Sequence, residues 1–313
     1  MTKADHSCRE FPGKHPRGQQ GLTLIELMVS LVIGLVLAIV ASSTYLYSKQ
    51  AYNAVSENSQ LEENGRFALN LLARNIQSAG FVMIDPRSSF PPGATDIKVR
   101  GCDFGMVNPL TATSSADIAC LASTPAGSSR SASVGIFYDT DAYDTTGNKY
   151  QGFDCLGNSS VVVPSTSGGS PTYQVRNYFF VSASTVQTTN GTTTMGQLSC
   201  VTDPRTTGAT TGTFQMQPLI PGIHQLAVTY LTPSAINKNT AQKAATATAL
   251  EAAGTWPQVT AVEICVLSKS IQTSGNDTNT QATDCYNQTF TPPSGQTFRR
   301  FTTTVNLRNR TTS

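Results

Sequence analysis

Few side chains in this sequence have the types and spacing that catalysis requires. Beyond residue 21 the chain contains one histidine, His224, which follows Pro221-Gly222-Ile223. A histidine-based triad or zinc site needs partner side chains that the sequence does not supply around this residue, so we predict a structural histidine. The sequence also contains no glycine-rich phosphate loop. We therefore expect a protein that is not an enzyme and that carries no cofactor.

Three carboxylates, Asp139, Asp141 and Asp144, stand close together in the stretch YDTDAYDTTGN. Oxygen ligands at alternating positions suit calcium. The spacing departs from that of an EF-hand loop, however, and the final glutamate is missing. We therefore predict a solvated turn and no metal site, with calcium binding as the weaker alternative.

Six of the seven cysteines follow the apolar N-terminal segment, and Cys8 stands alone before it. The six are Cys102, Cys120, Cys155, Cys200, Cys265 and Cys285. Cys-x-x-Cys spacing is absent, and an even number is typical of disulfides in an oxidising compartment. Fifteen pairings are possible, of which neighbour pairing (102–120, 155–200, 265–285) closes the shortest loops and is favoured. Buried free cysteines are the alternative.

The composition indicates a β-rich protein outside the cytoplasm. Of 313 residues, 39% are apolar and only 13% are charged, with Ser, Thr, Asn and Gly filling the remainder. The net charge of +2 argues against a nucleic-acid partner. Residues 1–21 supply this excess with four basic and two acidic side chains, so the other 292 residues are neutral, with 17 of each sign.

A long apolar segment near the N-terminus could cross a membrane. The 22 residues 27–48 carry no charge, and at about 1.5 Å per residue a helix of this length spans a hydrocarbon core of roughly 30 Å. Basic residues precede it, which predicts a cytoplasmic N-terminus. The run is too long for a cleaved secretory signal. A plain anchor fits, but it leaves Glu26 unexplained, because a charge within the bilayer usually has a partner.

The stretch GLTLIEL at residues 21–27, between a basic leader and an uninterrupted hydrophobic helix, resembles the class III signal of type IV prepilins. The resemblance implies that prepilin peptidase cuts between Gly21 and Leu22 and that the new N-terminus, Leu22, is methylated. Glu26 then becomes the fifth residue. Leu22 departs from the pattern in a minor way, since Phe or Met is more usual there.

The resemblance also supplies a cation for Glu26. A new α-amine, whose ordinary pKa is about 7.7–8.0, is protonated near neutral pH. In pilins the acid at this position is expected to pair with the amine of a neighbouring subunit, because an unmatched charge inside an apolar bundle is strongly unfavourable. Glu26 is thus implied to be an assembly contact. A tolerated acid close to the membrane edge is the alternative.

Two further regions, residues 64–81 and residues 301–310, resemble PilW-type minor pilins. They are NGRFAL at residues 64–69, followed by IQSAGF at 76–81, and FTTTVNLRNR at 301–310. The implied fold is α+β and type IV pilin-like: a long N-terminal hydrophobic helix packed on an antiparallel β-sheet domain with long loops. The implied domains are a leader at 1–21, a helix at 22–80 and a β-rich globular domain at 81–313. Within the helix, 22–48 would form the membrane or filament core and 49–80 would be amphipathic.

Periodicity predicts the elements in more detail. One helix from about Thr23 to about Ala79 is expected, because no proline intervenes and Leu69, Leu72, Ile76 and Ala79 form a stripe. Predicted strands are Ser133–Tyr138, Tyr178–Ser182, Gln225–Leu231, Gln258–Leu267 and Arg300–Leu307. We expect mobile polar loops at 163–172 and 184–197 and a short surface helix within 235–254.

The implied function is that of a minor pilin that primes assembly of a type IV pilus or forms part of its tip. Implied partners are other minor pilins, the major pilin, prepilin peptidase and the inner membrane, with a tip adhesin as a further candidate. The domain would be periplasmic before assembly and extracellular afterwards. Alternatives are a J-type minor pseudopilin of a type II secretion system and a membrane-anchored periplasmic binding protein.

Overall fold

The structure is a computed structural model with two compact units, residues 1–51 and residues 52–313. It describes residues 21, 23–81, 98–107, 119–126, 129–140, 153–158, 161–163, 172–188, 191–202, 214–233, 242–271 and 281–309. The predicted α+β class, with a long apolar N-terminal helix and antiparallel sheets, is confirmed.

Helix α1 spans Leu24–Ser78 and runs through both units. It ends before Gly80, which adopts the left-handed conformation with φ 67° that glycine tolerates. The Gly80 N–H donates to the Phe137 carbonyl at 2.8 Å, so the helix end is tied to the sheet. The sequence prediction of one unbroken helix with a stop at Gly80 is confirmed.

The part of α1 within residues 52–78 carries a buried stripe at three- and four-residue steps. Its buried residues are Glu57, Leu61, Gly65, Ala68, Leu72 and Ile76. Leu72 and Ile76 are fully buried, as predicted, whereas Leu69 is only partly buried. This spacing places the stripe along one face of the helix, which is the face that packs on the sheets.

The first sheet has six antiparallel strands in the order β1-β2-β4-β5-β6, with β3 beside β4. Their bounds are Val99–Cys102 (β1), Ser133–Thr140 (β2), Val161–Val163 (β3), Thr172–Thr188 (β4), Gly191–Thr202 (β5) and Gln215–Pro221 (β6). Gly222, with φ 77°, turns the chain from β6 directly into the second sheet.

The second sheet is also antiparallel, in the order β12-β9-β7-β8. Its strands are Ile223–Pro233 (β7), Gln242–Ala245 (β8), Ala261–Lys269 (β9) and Phe298–Asn306 (β12). Ala282–Thr283 (β10) and Thr289–Phe290 (β11) form a small hairpin, and helix α2 spans Ala247–Ala253. Thr246 caps α2 by accepting the Ala249 N–H at 3.2 Å, and Gly254 ends it with φ 62°.

One main hydrophobic core unites the buried stripe of α1 with both sheets. It includes fully buried Phe179 from β4 and Ile264 from β9, together with Leu72. Polar contacts follow the same arrangement, because Asn177 of β4 donates to the Asn75 side chain at 3.4 Å and Ser268 of β9 donates to the Leu61 carbonyl at 3.2 Å. The helix therefore anchors both sheets.

The predicted strands are all observed, most of them longer than expected. One begins late, because Trp256–Gln258 forms a 3-10 turn and β9 starts at Ala261. The prediction of a helix within 235–254 is confirmed for α2, and residues 242–245 form β8 instead. Of the loop predicted at 163–172, only the two end residues are described, and each lies in a strand.

The predicted mobile loop at 184–197 is wrong, because its described residues pair as the outer part of the β4–β5 hairpin. Threonine is β-branched and suits a strand, although the stretch is polar. The sequence also holds the usual hairpin signal, Asn190-Gly191, and Gly191 has φ 112°. The polar composition of this stretch led to the loop prediction. The Asn190-Gly191 dipeptide was the sequence signal that indicated a hairpin instead.

Candidate processing and assembly site

The proposed cleavage position lies just before the first turn of α1. The Glu26 and Leu27 N–H groups both donate to the Thr23 carbonyl, at 3.1 and 3.2 Å, so Thr23 is the cap residue directly before α1. Gly21 is exposed, and a Cβ placed on it would meet no other atom within 4 Å. Leu22 lies outside the described residues. Chain that is exposed and not yet helical is the kind of segment that a peptidase can accommodate.

Glu26 sits in the first turn of α1 among exposed apolar side chains. Its neighbours Ile25 and Leu27 are 70% and 56% exposed. A carboxylate near a helix N-terminus is stabilised by the partial positive charge of the unpaired N–H groups there. The helix N-terminus therefore tolerates an acid at this position. Because the surrounding side chains are apolar, any lipid or protein that covers them also covers the Glu26 carboxylate.

The first half of α1 exposes apolar side chains on every side. They include Leu24, Ile25, Leu27, Met28, Val29, Leu31, Val32, Ile33, Leu35, Val36, Leu37, Ile39 and Val40. Within the described residues, α1 is the one helix long and apolar enough to cross a membrane. A surface of this kind is stable only when lipid or other protein covers it.

His224 lies near the start of β7, at the register shift between Ile223 and Gln225, and is half-buried. Its Nε2 is 3.1 Å from the Ser129 hydroxyl, and its ring packs edge-on against Phe298 at 5.2 Å. Burial, with a smaller contribution from Lys269, lowers the pKa of the imidazole below 6.5, so it is neutral at pH 7. Among the described residues, His224 joins no group of three metal-ligating side chains. This environment fits a structural role.

The carboxylate cluster falls mostly outside the described part of the chain. Asp139 lies in β2, where it pairs with Gln174 of β4. Asp141 and Asp144 lie outside the described residues. Calcium binding by these three residues therefore stays an alternative from the sequence.

The six cysteines form three disulfides between sequence neighbours: Cys102–Cys120, Cys155–Cys200 and Cys265–Cys285. The loops span 18, 45 and 20 residues, and each bond ties a sheet strand (β1, β5 or β9) to a connecting segment. Cross-links of this kind typically contribute about 2–4 kcal/mol by restricting the unfolded chain. They persist in oxidising compartments such as the periplasm.

Two loops that carry disulfides meet at Arg130, which the sequence did not single out. Its guanidinium carbon lies 4.6 Å from the Phe104 ring centre and 4.2 Å from that of Tyr286. The preceding residue in the first loop, Asp103, holds α2 by accepting N–H bonds from Ala247 and Thr248 at 3.0 and 2.9 Å. Such contacts join residues distant in sequence, so no local pattern signals them.

The structure brings together the two stretches that resembled PilW-type pilins. A Cβ on Gly65 of α1 would overlap the ring of Phe301 in β12, so glycine allows this close packing. Nearby, Arg299 of β12 pairs with Glu62 of α1 at 3.1 Å. Further along, the Asn309 side chain donates to the Ala79 carbonyl at 3.3 Å. The C-terminal strand and the residues after it thus hold the helix against the domain.

Comparison with known proteins gives two family matches. Residues 178–309 match the family of type IV pilus-assembly protein W, and residues 16–42 match the prokaryotic N-terminal methylation motif. The predicted resemblance to PilW-type pilins is confirmed. No curated protein matches the chain. The chain is also similar to a type IV-like pilin, TTHA1219 from Thermus thermophilus, at 12% identity and a TM-score of 0.37, covering 80% of this chain and 97% of that one.

One matched region contains the candidate processing segment at the start of α1. The other contains the C-terminal segment that packs against the end of α1. The methylation motif includes the Gly21–Leu22 junction and Glu26. The PilW match runs from β4 to Asn309, which is the residue that contacts the end of α1. The match to a pilus-assembly family implies contact with other pilus components, and the match to the N-terminal methylation motif, together with the apolar helix, indicates membrane anchoring.

Proposed function

We propose that this chain is a minor pilin of a type IV pilus, made as a prepilin. Residues 1–21 form the leader and remain in the cytoplasm until prepilin peptidase cuts after Gly21 and Leu22 is methylated. Residues 22–48 then hold the protein in the inner membrane, with the amphipathic part (49–80) and the β-rich domain (81–313) in the periplasm. After assembly the domain is displayed on the extracellular pilus.

The exposed apolar surface at the start of α1, directly after the prepilin motif, is the observation that carries this proposal. Side chains such as Leu31 and Leu37 are more than 60% exposed, and the methylation motif covers residues 16–42. Lipid covers such a surface before assembly, and equivalent helices of neighbouring subunits cover it afterwards. Transfer of the helix from lipid to the neighbouring helices keeps its apolar surface away from water throughout.

Glu26 determines how the helix aligns with the helices of neighbouring subunits in the filament. In the filament its carboxylate pairs with the methylated α-amine of a neighbouring subunit. Pairing offsets part of the desolvation of both charges, whereas an unmatched member inside the bundle costs about 3–5 kcal/mol. Only alignments that bring the acid to an amine are therefore stable.

The role is structural, with no catalysis. The partners are the other minor pilins and the major pilin, and the place is the priming complex or the pilus tip, where a tip adhesin is a further candidate partner. The match to the pilus-assembly family favours this role over that of a type II secretion pseudopilin. A plain membrane-anchored binding protein would keep residues 1–21.

Intact-mass measurement of the membrane-extracted protein, with and without active prepilin peptidase, tests the proposal. We expect loss of residues 1–21 and addition of one methyl group only when the peptidase is active. Persistence of the leader alongside active peptidase would contradict the proposal, because an uncut helix cannot present Leu22 as an N-terminus.

The assembly role is tested with Glu26→Gln, which keeps the shape of the side chain and removes its charge. Cleavage should be unchanged, while surface pili should fall by about tenfold or more, since the amine of the neighbour loses its partner. Glu63→Gln is the matched control, because Glu63 is an exposed acid on the same helix. Equal piliation in both variants would rule out a priming role for the Glu26 contact.

A further inference from the structure

The β4–β5 hairpin extends beyond both of its neighbouring strands. β2 pairs with β4 only as far as Phe180, which lies opposite Ser133, whereas β5 pairs with β4 as far as Thr188. Because β2 and β5 both pair with residues 177–180, they lie along opposite edges of β4. Within the described part of the chain, residues 181–188 have no strand on the β2 side. We name these residues the free β4 edge.

The chain before β2 leaves this edge for the other sheet. The Ala132 N–H donates to the Leu226 carbonyl at 2.7 Å, and the Leu226 N–H donates to the Ser131 hydroxyl at 3.1 Å. These contacts fix the preceding segment on β7. The free β4 edge is therefore a consequence of how the two sheets are joined.

The part of the hairpin from residue 177 to residue 202, which carries this edge, has no charged residue, whereas Arg176 lies earlier in β4. Residues 177–202 contain no Asp, Glu, Lys, Arg or His and no proline, in a chain with 40 acidic and basic residues in total (21 + 19). Ala183, Thr185 and Gln187 are exposed. Unpaired N–H and carbonyl groups along a neutral, regular strand form a template for another strand.

Apart from residues 191–196 of β5, which belong to the same hairpin and extend beyond β6, the other edges of the described sheets carry features that discourage such pairing. β12 has the exposed arginines Arg299 and Arg300, and β6 contains Pro218 and Pro221 and shifts register against β5. β1 and β8 are four residues long and carry Arg100 and Lys243. Charge, proline, irregularity and shortness are the usual protections of an edge. The free β4 edge has none of them.

We propose that the free β4 edge pairs antiparallel with the same edge of a second copy of this chain, about a two-fold axis. In an isologous contact residue i of one copy lies opposite residue j of the other, and j lies opposite i, so the edge must be complementary to itself and free of like charges that repel. The neutral edge meets this condition, because no charge is opposed by its copy or removed from water. A second copy of the chain therefore fits as the partner, because its free β4 edge is also without charge.

The expected contact is weak in free solution. About eight residues a side take part, compared with the roughly 20–30 a side of a standard stable interface. Anchoring both copies in one membrane raises their effective concentration without any new contact. We therefore expect pairing in lipid vesicles and much less in dilute micelles. The inference does not depend on pilus assembly.

Site-specific disulfide cross-linking of the full chain tests the pairing. The six cysteines beyond the leader are bonded to one another, so Cys8→Ser leaves a background without free thiols. In any register centred on residues 184–186, Thr185→Cys lies opposite or diagonal to its copy. In phosphatidylethanolamine and phosphatidylglycerol vesicles we expect about tenfold more oxidised dimer than with the control Thr302→Cys, an exposed position on β12.

A second variant separates edge pairing from random collision. Ala183→Lys, added to Thr185→Cys, should reduce the dimer to the control level, because each copy then carries a charge within the paired edge, and charged side chains discourage strand pairing. Thr304→Lys, also exposed, should leave the dimer unchanged. Trp256 fluorescence checks that each variant is folded. Self-pairing would be overturned if Thr185→Cys gave no more oxidised dimer than the control, or if Ala183→Lys did not reduce the amount of dimer. Cross-linking of the same cysteine to another pilus subunit in cells would not rescue the proposal.

Discussion

In residues 24–51 of α1, apolar side chains such as Leu31 and Leu35 are 63% and 56% exposed. In residues 52–78 of the same helix, Leu72 and Ile76 are fully buried. The helix is continuous through both parts. The difference lies in what covers the apolar surface: the protein's own sheets cover the second part, and the first part requires lipid or other subunits.

This difference means that a leucine has a different role in each part. In the second part it stabilises the folded domain, because its removal leaves a cavity among fixed neighbours. In the first part it is a surface for something outside the chain. Paired substitutions, one in each part, therefore separate folding from assembly.

The largest expected effect comes from leucine truncation. Leu72→Ala should lower the free energy of unfolding by about 2–5 kcal/mol, because it empties part of a core that the helix shares with both sheets. Leu35→Ala should change it by less than about 0.5 kcal/mol, since the side chain contacts no domain core. Urea unfolding in micelles, followed by the fluorescence of the one tryptophan, Trp256, measures both. Equal losses of unfolding free energy in the two variants would contradict the distinction between residues 24–51 and residues 52–78 of the helix.

A glycine in each part gives the next largest contrast. Gly65→Leu should cost about 1–3 kcal/mol, because the new side chain overlaps the Phe301 ring. Gly34→Leu should leave domain stability unchanged and raise helix propensity by about 1 kcal/mol, since a Cβ there meets no atom within 4 Å.

The same unfolding measurement has an internal check for Gly65. Adding Phe301→Ala to Gly65→Leu should recover part of the loss, so the two substitutions should be non-additive. Additive losses would show that the close packing of α1 on β12 is not what requires glycine at this position.

The smallest effect concerns acid sensitivity, which should belong to the domain alone. His6 and His15 lie within residues 1–21, the proposed leader, so His224 is the one histidine in residues 22–313. Burial lowers its pKa below 6.5, so the unfolded chain takes up this proton first as the pH falls. Stability should therefore decline as the pH falls through 6.5 toward the lowered pKa, and then level off.

Unfolding curves of wild type and His224→Gln between about pH 7.5 and pH 5.5 measure this contribution. The variant should show a smaller decline than wild type. An equal decline in both proteins would assign the acid sensitivity to carboxylates instead.

Features that depend on neighbours in sequence could be predicted well. The extent of α1 followed from the absence of proline and the presence of Gly80, and the strand segments followed from β-branched residues between turn signals. The hairpin within 184–197 was missed because its strands are polar, although Asn190-Gly191 marked the turn. The contacts of Arg130 and Asn309 had no local signal, since their partners lie far away in the chain.

The sequence by itself determined the prepilin motif, the apolar segment and the continuous helix, because each depends on residue types within a few turns of one another. Only the tertiary structure decided which half of that helix the domain covers, where the cysteines meet, and that β2 leaves β4 at Phe180. Strand order and edges arise from pairing between distant segments. A neutral run such as 177–202 reveals an unprotected edge only once its neighbours are known.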